Sequence, residues 1–240
     1  MRAIGRAGRI LAELHEAIEP RVVPGATTAE LDRFAEDFIR SHDGAEPAFK
    51  GLYGFPATLC TSINEEVVHG IPSGRRRLAN GDIVSVDAGV RLDGWFADAA
   101  RTFAAGVVDD ATTTLLQVTQ EALAAGIEQA RAGNHMGDIG HAIQQVAEAA
   151  GFGVVRDLVG HGIGREFHEE PQVPNYGKPG RGLRLQAGLV IAIEPMINAG
   201  GIGIRTLPDR WTVVSADGSR SAHFEQTVAV TEGAPLVLTG

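Results

Sequence analysis

Residues 160–176 read GHGIGREFHEEPQVPNY, which puts His161 and His168, the adjacent Glu169 and Glu170, and three glycines into one short segment. Gly160, Gly162 and Gly164 allow backbone conformations closed to other residues and a close approach to something nearby. Imidazole and carboxylate at this density suit metal ligation or proton transfer better than core packing. Further carboxylates stand where a fold would not leave a charge idle. Asp87 and Asp98 flank a turn in SVDAGVRLDGWFADAARTF, Glu194 ends the apolar run LVIAIE, and Glu225 lies inside the strand-like SAHFEQTVAV. A glutamate closing an apolar strand must be paired, metal-bound or at a sheet edge.

The two aspartates meet in either register that the turn allows. With a loop of residues 91–94, Val90 pairs with Trp95 and Asp87 lies directly opposite Asp98. With the two-residue loop Asp93-Gly94, they are diagonal on one face. Adjacent like charges are tolerated when one acid keeps its proton, when a cation lies between them, or when both face solvent. Ser85, Ala100 and Thr102 are small same-face neighbours that leave room for an ion. Together with Glu194, Glu225 and a histidine from the glycine-rich segment, the donors fit an oxygen-rich dinuclear site for Mn, Fe, Co or Zn. Two such ions roughly 3.5–4 Å apart can hold a bridging water, lower its pKa and polarise a carbonyl.

The elements that position these residues are legible in the apolar pattern. Ile4, Ala7, Ile10, Leu11, Leu14 and Ile18 share one helical face, and Pro20 ends it. TTAELDRFAEDFIRSHDG opens with the capping-box pair Thr27 and Glu30, then shows Leu31, Phe34, Ala35 and Phe38 as a stripe. Short strands are expected around Thr58–Ser62 and Val67–His69, followed by the acid-bearing pair of β runs. Helices over 111–131 and 137–150 come next, then the glycine-rich segment, AGLVIAIEP, and a hairpin from Trp211 to Val230 about Asp217-Gly218. The order of helix, helix, irregular segment and acid-bearing strand therefore occurs twice. A shift of 107 residues lays LANGDIVSVD (78–87) on LQAGLVIAIE (185–194). The pattern reads as one domain, residues 1–240, with related α+β halves of about 1–108 and 109–240 sharing a core.

Composition narrows the function. The 240 residues carry a net charge of −9, which excludes broad nucleic-acid binding. No apolar run approaches the roughly 20 residues needed to span a bilayer. The amphipathic, acid-bearing N-terminus reads as a helix rather than a signal peptide. Cys60 is the single cysteine, so neither an intramolecular disulfide nor a thiolate zinc knuckle can form, and a reducing cytoplasm is expected. The run Arg75-Arg76-Arg77 reads as a solvated loop. His15, His42, His135 and His141 take no role, and His223 reads as a satisfied strand histidine.

Five segments in order resemble the type I methionine aminopeptidases: CTSINEEVVHGIP (60–72), DAGVRLDGWFADAARTF (87–103), GHGIGREFHEEPQV (160–173), IEPM (193–196) and SAHFEQT (221–227). The resemblance covers essentially the whole chain. It implies the α+β pita-bread fold, with two pseudo-symmetric halves of a helix pair plus antiparallel strands around a dinuclear metal site. Asp87, Asp98, His161, Glu194 and Glu225 would then hold two divalent ions (Co, Mn, Fe or Zn). Asp98 and Glu225 would bridge them, His161 and Glu194 would complete the tighter site, and Asp87 would hold the second ion. His168 would donate to the carbonyl oxygen, His69 would contact the scissile nitrogen or its surroundings, and Glu194 would move the proton of the attacking water. Phe49, Leu52, Phe55, Cys60, Phe167 and Trp211 would line the pocket for the methionine side chain.

The implied activity is removal of an initiator methionine when the next residue is Gly, Ala, Ser, Thr, Cys, Pro or Val. Peptide and nascent-chain N-termini are the implied partners, with transient ribosome contact, no nucleic-acid specificity, no membrane, and a cytoplasmic monomer. The chain departs from the family pattern at Leu158, at Leu52 and Phe55 (tyrosines in the usual pocket), and in the exchanged order of His223 and Gln226. The rival readings are an Xaa-Pro aminopeptidase or prolidase, expected to carry an additional N-terminal domain, and a non-catalytic pita-bread binding protein, expected to lack ligands.

Overall fold

A computed structural model describes residues 1–240. The first apolar stripe forms helix α1 (Arg2–Ile18), and all six of its expected core residues are buried. Helix α2 (Thr28–Arg40) begins at the anticipated capping box. The Thr27 hydroxyl oxygen accepts from the Glu30 amide at 3.2 Å, and the Glu30 carboxylate accepts from the Thr27 amide at 2.7 Å. Two more helices, α3 (Asp110–Glu128) and α4 (Met136–Ala149), pack as a second pair. Asp109 caps α3 by accepting from the Thr112 amide at 2.8 Å.

Five strands precede α3: β1 (Ala45–Pro47), β2 (Leu59–Ile63), β3 (Glu66–Val68), β4 (Asp82–Leu92) and β5 (Trp95–Ala105). After α4 come β6 (Gly153–Val154), β7 (Gly160–Gly162), β8 (Glu169–Val173), β9 (Val190–Ile193) and β10 (Met196–Asn198). The last five are β11 (Ile204–Thr206), β12 (Val213–Ser215), β13 (Ser221–His223), β14 (Glu225–Ala229) and β15 (Leu236–Val237). The main sheet runs β1-β4-β5-β14-β9-β7-β8, with β2 added on β4 and β15 on β14. Its pairings are antiparallel, and β5 joins β14 at the centre. Val84, Val86, Ala88 and Val90 pack into the core that contains Leu11 and Leu14 of α1. Strand alternation therefore turns Ser85, Asp87 and Gly89 to the opposite face. Around α3 and α4, Leu123, Ile139 and Ile143 pack with Ile191, Ile193 and Val228. No helix is long and apolar enough to cross a membrane.

The β4–β5 turn takes the shorter of the two registers. Leu92 pairs with Trp95, and Asp93 and Gly94 have φ of 52° and 74°. Positive φ at both central residues is the two-residue turn that matches strand twist, and Asp-Gly is its preferred sequence.

The expected hairpin from Trp211 to Val230 does not form. Strand β12 pairs with β11 and β3, β13 pairs with β10, and β14 pairs with β5, β9 and β15. Asp217 and Gly218 do reverse the chain, but the Asp217 carboxylate accepts from the Gly201 amide at 2.7 Å and ties the turn to a neighbouring loop. Strand β12 is buried throughout and satisfies both edges elsewhere.

Candidate metal centre

Cys60 of β2, Asp87 of β4, Ala100 of β5 and Glu225 of β14 stand in one row across the sheet. Asp98 lies two residues from Ala100 on the same face, opposite Gly89. Its main chain is pinned by Thr227, whose hydroxyl accepts from the Asp98 amide at 3.0 Å and donates to the Asp98 carbonyl at 2.8 Å. Glu194 follows the last residue of β9, where Ile193 pairs with Gln226, so its side chain emerges beside Glu225.

His161 is the middle residue of β7. Its Nδ1 lies 2.9 Å from the Gly162 carbonyl, which can only accept, so the proton is on Nδ1 and Nε2 keeps a free lone pair. That Nε2 is 3.7 Å from Asp98 Oδ2 and 3.7 Å from Glu194 Oε1. One donor atom each from Asp98, His161 and Glu225 fall within 4.8 Å of one another.

The glycines of this segment make the expected close approach, to neighbouring backbone, without any unusual conformation. None has a positive φ. A Cβ at Gly160 would lie 2.3 Å from the Ala192 carbonyl oxygen, and one at Gly162 would lie 2.2 Å from that of Glu170. The glycines press β7 between β8 and β9, and that approach sets His161 beside Glu194. Glu169 folds back to accept from the amides of Arg165 at 2.6 Å and Glu166 at 2.9 Å, closing the loop that presents His168.

Electrostatics single out this cluster. Burial, reinforced by the neighbouring acids, pushes the Asp87, Glu194 and Glu225 carboxyls well above the usual carboxylate range. Burial raises Asp98 to about 8, against hydrogen bonds from the Ala99 amide, Glu225 and Asp87 that lower it. Asp87 Oδ1, Asp98 Oδ1 and Glu225 Oε1 are buried without a hydrogen-bond partner. No lysine or arginine lines the cavity to offset them. Buried acids of this kind need protons or a bound cation at neutral pH. Orphaned carboxylate oxygens converging with an unprotonated imidazole nitrogen fit a divalent metal.

The acids form one wall of a cavity of about 290 Å³, and its other wall is apolar. Every site residue singled out from sequence lines it: Phe49, Leu52, Phe55, Cys60, His69, Asp87, Asp98, His161, Phe167, His168, Glu194, Trp211 and Glu225. Phe55 meets Trp211 edge-on at 5.1 Å, and Phe49 meets Phe167 edge-on at 5.3 Å. Burial and the acids push the Cys60 thiol well above its ordinary value, so it is an inert part of the wall. His69 sits in the left-handed region at φ 60°, a costly conformation for a residue with a side chain. Burial lowers the His69 imidazole, and lowers His168 to about 4, so both are neutral near pH 7. His69, His161, His168 and Glu194 also line an open groove of about 650 Å³ that continues past Leu158, Glu166, Glu170 and Met196.

Two contributors were not read from sequence. Tyr53 lines the cavity beside His168. Gly89 leaves the space in which Phe49 and Phe167 sit, since a Cβ there would fall 2.5 Å from Phe167 Cε2. A lone glycine inside a β-branched strand was the available signal for Gly89. The expectation of a satisfied His223 is corrected. Both of its ring nitrogens lack a hydrogen-bond partner, and its Nε2 is 3.9 Å from Glu194 Oε2 and 4.0 Å from Glu225 Oε2. The β13–β14 segment brings the ring under the acids, and burial lowers it to about 3, so it stays neutral.

A family model described as metallopeptidase family M24 matches residues 2–232, and the chain belongs to that family of hydrolases. The relatives divide it further. A methionine aminopeptidase of Clostridium perfringens is 55% identical over 98% of this chain and 93% of its own length. Methionine aminopeptidase 1 of Bacillus subtilis is 49% identical over 97% of this chain and 93% of its own. The solved methionine aminopeptidase of Thermotoga maritima superposes with a TM-score of 0.97 at 42% identity, covering 99% of this chain and 95% of that one. Within the family, then, the chain stands with the methionine aminopeptidases. A prolidase of Pyrococcus furiosus, with a TM-score of 0.79 at 23% identity, shares the fold alone; the match covers 63% of that chain.

Proposed function

We propose that the cavity removes the N-terminal methionine of peptides and nascent proteins, using two divalent ions held by Asp87, Asp98, His161, Glu194 and Glu225. The observation that supports this reading is the division of one cavity into an acid-and-imidazole wall and an aromatic wall. A free, unprotonated α-amine would suit the first wall once the ions are held there, and a flexible thioether suits the second. Asp98, His161 and Glu225 offer mutually close donor atoms and would hold an ion together. The ions, when bound, would activate a water and polarise the scissile carbonyl, as in other two-metal sites, aminopeptidases among them.

The chain's own groups do the rest. His168 donates to the carbonyl oxygen as negative charge develops there, an oxyanion-hole role. His69 contacts the scissile nitrogen or its surroundings, and Glu194 accepts and returns the proton of the attacking water. The residue after the methionine passes between His69 and His168, which line both the cavity and the groove, and this crowding favours small side chains there. The remaining peptide leaves along the groove. The enzyme works as a cytoplasmic monomer formed by a single catalytic domain, with transient access to chains emerging from the ribosome.

The test is hydrolysis of Met-Ala-Ser beside Ala-Pro, with and without a chelator. Chelator-sensitive release of methionine from the first and no cleavage of the second is expected. Cleavage of Ala-Pro alone would assign the cavity to a prolidase-type reaction.

A further inference from the structure

Tyr53 sits between Gly51 and Gly54 in a short turn where all three adopt positive φ, of 51° for Tyr53, 91° for Gly51 and 89° for Gly54. The left-handed region is costly for a non-glycine residue, and Tyr53 is 74% exposed. Core packing therefore gives no reason for a tyrosine at this position. What the conformation does achieve is contact with one residue. The ring stacks on His168 with centroids 5.7 Å apart and planes 22° from parallel. Its hydroxyl lies 3.4 Å from His168 Nδ1. Phe167 and His161 meet the same imidazole edge-on, at 4.8 and 4.4 Å. His168 is thus held in an aromatic clamp with one polar contact on its Nδ1 side.

We propose that Tyr53 is a positioning residue for His168: its hydroxyl donates to Nδ1, which places the ring proton on Nε2, and its ring fixes the plane in which Nε2–H is offered to the substrate. A neutral imidazole has one N–H and one acceptor nitrogen, and the partner of one nitrogen decides the state of the other. With Nδ1 accepting from Tyr53, the nitrogen at the far side of the ring is the donor. The clamp restricts rotation about the side chain, so the donor is aimed before substrate arrives. This inference rests on the oxyanion role given to His168 above.

The experiment is a double-mutant cycle on the metal-loaded enzyme with Met-Ala-Ser, using Tyr53→Phe and His168→Ala singly and together. Tyr53→Phe keeps the stack and removes only the hydroxyl. Loss of one hydrogen bond that holds the donor should lower kcat about tenfold while KM stays put. In the His168→Ala background the same change should have no further effect. Tyr53→Leu, which also removes the stack, should lower kcat more than Tyr53→Phe does. Wild-type kcat in Tyr53→Phe would overturn the proposal. So would a rise in KM alone, which would make Tyr53 a wall of the binding site, or an equal loss in both backgrounds. If His168→Ala itself kept full turnover, the role of His168 would fail first, and that outcome is distinguishable from failure of the Tyr53 assignment.

Discussion

Asp87 and Asp98 lie diagonally across the β4–β5 hairpin, with Ala100 opposite the first and Gly89 opposite the second. Each acid therefore faces a residue with almost no side chain, on the only face of these strands not covered by helix α1. The space is divided between the two carboxylates and the aromatic wall. Gly89 lies at the boundary. A methyl group there would fall 2.5 Å from Phe167 Cε2, 2.9 Å from Ala48 Cβ and 3.0 Å from Phe49 Cε1.

Gly89→Ala should therefore disturb the aromatic lining proposed to take the methionine side chain and leave the acids in place. Overpacking of this kind costs about 1–3 kcal/mol, which here would fall on binding of the side chain. KM for Met-Ala-Ser should rise roughly 5- to 150-fold, from the same energies, with metal content unchanged. An unaltered KM would mean that Phe49 and Phe167 do not shape the pocket.

The two histidines should separate by role. His161 offers a bare Nε2 3.7 Å from two acids, whereas His168 faces cavity and groove without touching a carboxylate. His161→Ala should lower the metal content of the purified protein. His168→Ala should retain metal and lose about 10²–10³ in kcat, the usual cost of one oxyanion-hole donor. Equal metal loss in both variants would show that His168 is misassigned.

Selectivity for the second residue should follow if that residue passes between His69 and His168, which line both cavity and groove. Peptides beginning Met-Ala or Met-Ser should be cut, and those beginning Met-Arg or Met-Lys should not. N-formylated and N-acylated versions should resist, because the acid wall is matched to a free amine. Cleavage of Met-Arg as fast as Met-Ala would remove the steric argument while leaving the metal reading intact.

His15 supplies a pH signature away from the active site. It is fully buried in α1, where Nε2 donates to the Val86 carbonyl at 3.1 Å and Nδ1 has no partner. Burial, then the Arg101 charge, lowers its pKa to about 3 from the ordinary 6.5. Since the folded-state value is the lower one, the unfolded chain takes up the proton first as pH falls. Its contribution is complete above 6.5 and is lost progressively from 6.5 toward 3, at about 1.4 kcal/mol per pH unit. His15→Gln should be less stable than the parent at pH 7, and urea unfolding should show the gap narrowing by about 2 kcal/mol at pH 5. A gap independent of pH would mean that the fold leaves the affinity of His15 for a proton unchanged.

The composition of the cavity was legible in sequence because its parts lie on strands and a loop whose patterns are strong. Asp87 and Asp98 had to share a face in either turn register, and Glu194 stood out against an apolar run. The turn itself was ambiguous between two loops, and Asp-Gly geometry selected the shorter. The segment from Trp211 to Val230 reads as one hairpin because β12 looks like any short strand. Its partners β3 and β11 are set by tertiary packing that local pattern does not encode. The glycines of residues 160–164 promise a close approach without saying to what; for Gly160 and Gly162 it is to neighbouring backbone in β9 and β8. Tyr53 was invisible for a related reason. Its contact with His168 spans 115 residues and depends on a left-handed turn.

If the buried acids and His161 hold divalent ions that drive methionine release, metal content and turnover measured on the same samples should rise and fall together. The chelated protein should be inactive on Met-Ala-Ser and should recover with two equivalents of Mn or Co. Asp98→Ala should neither retain two ions nor turn over above background. Near-normal turnover by Asp98→Ala, or full activity in the chelated protein, would contradict the dinuclear account.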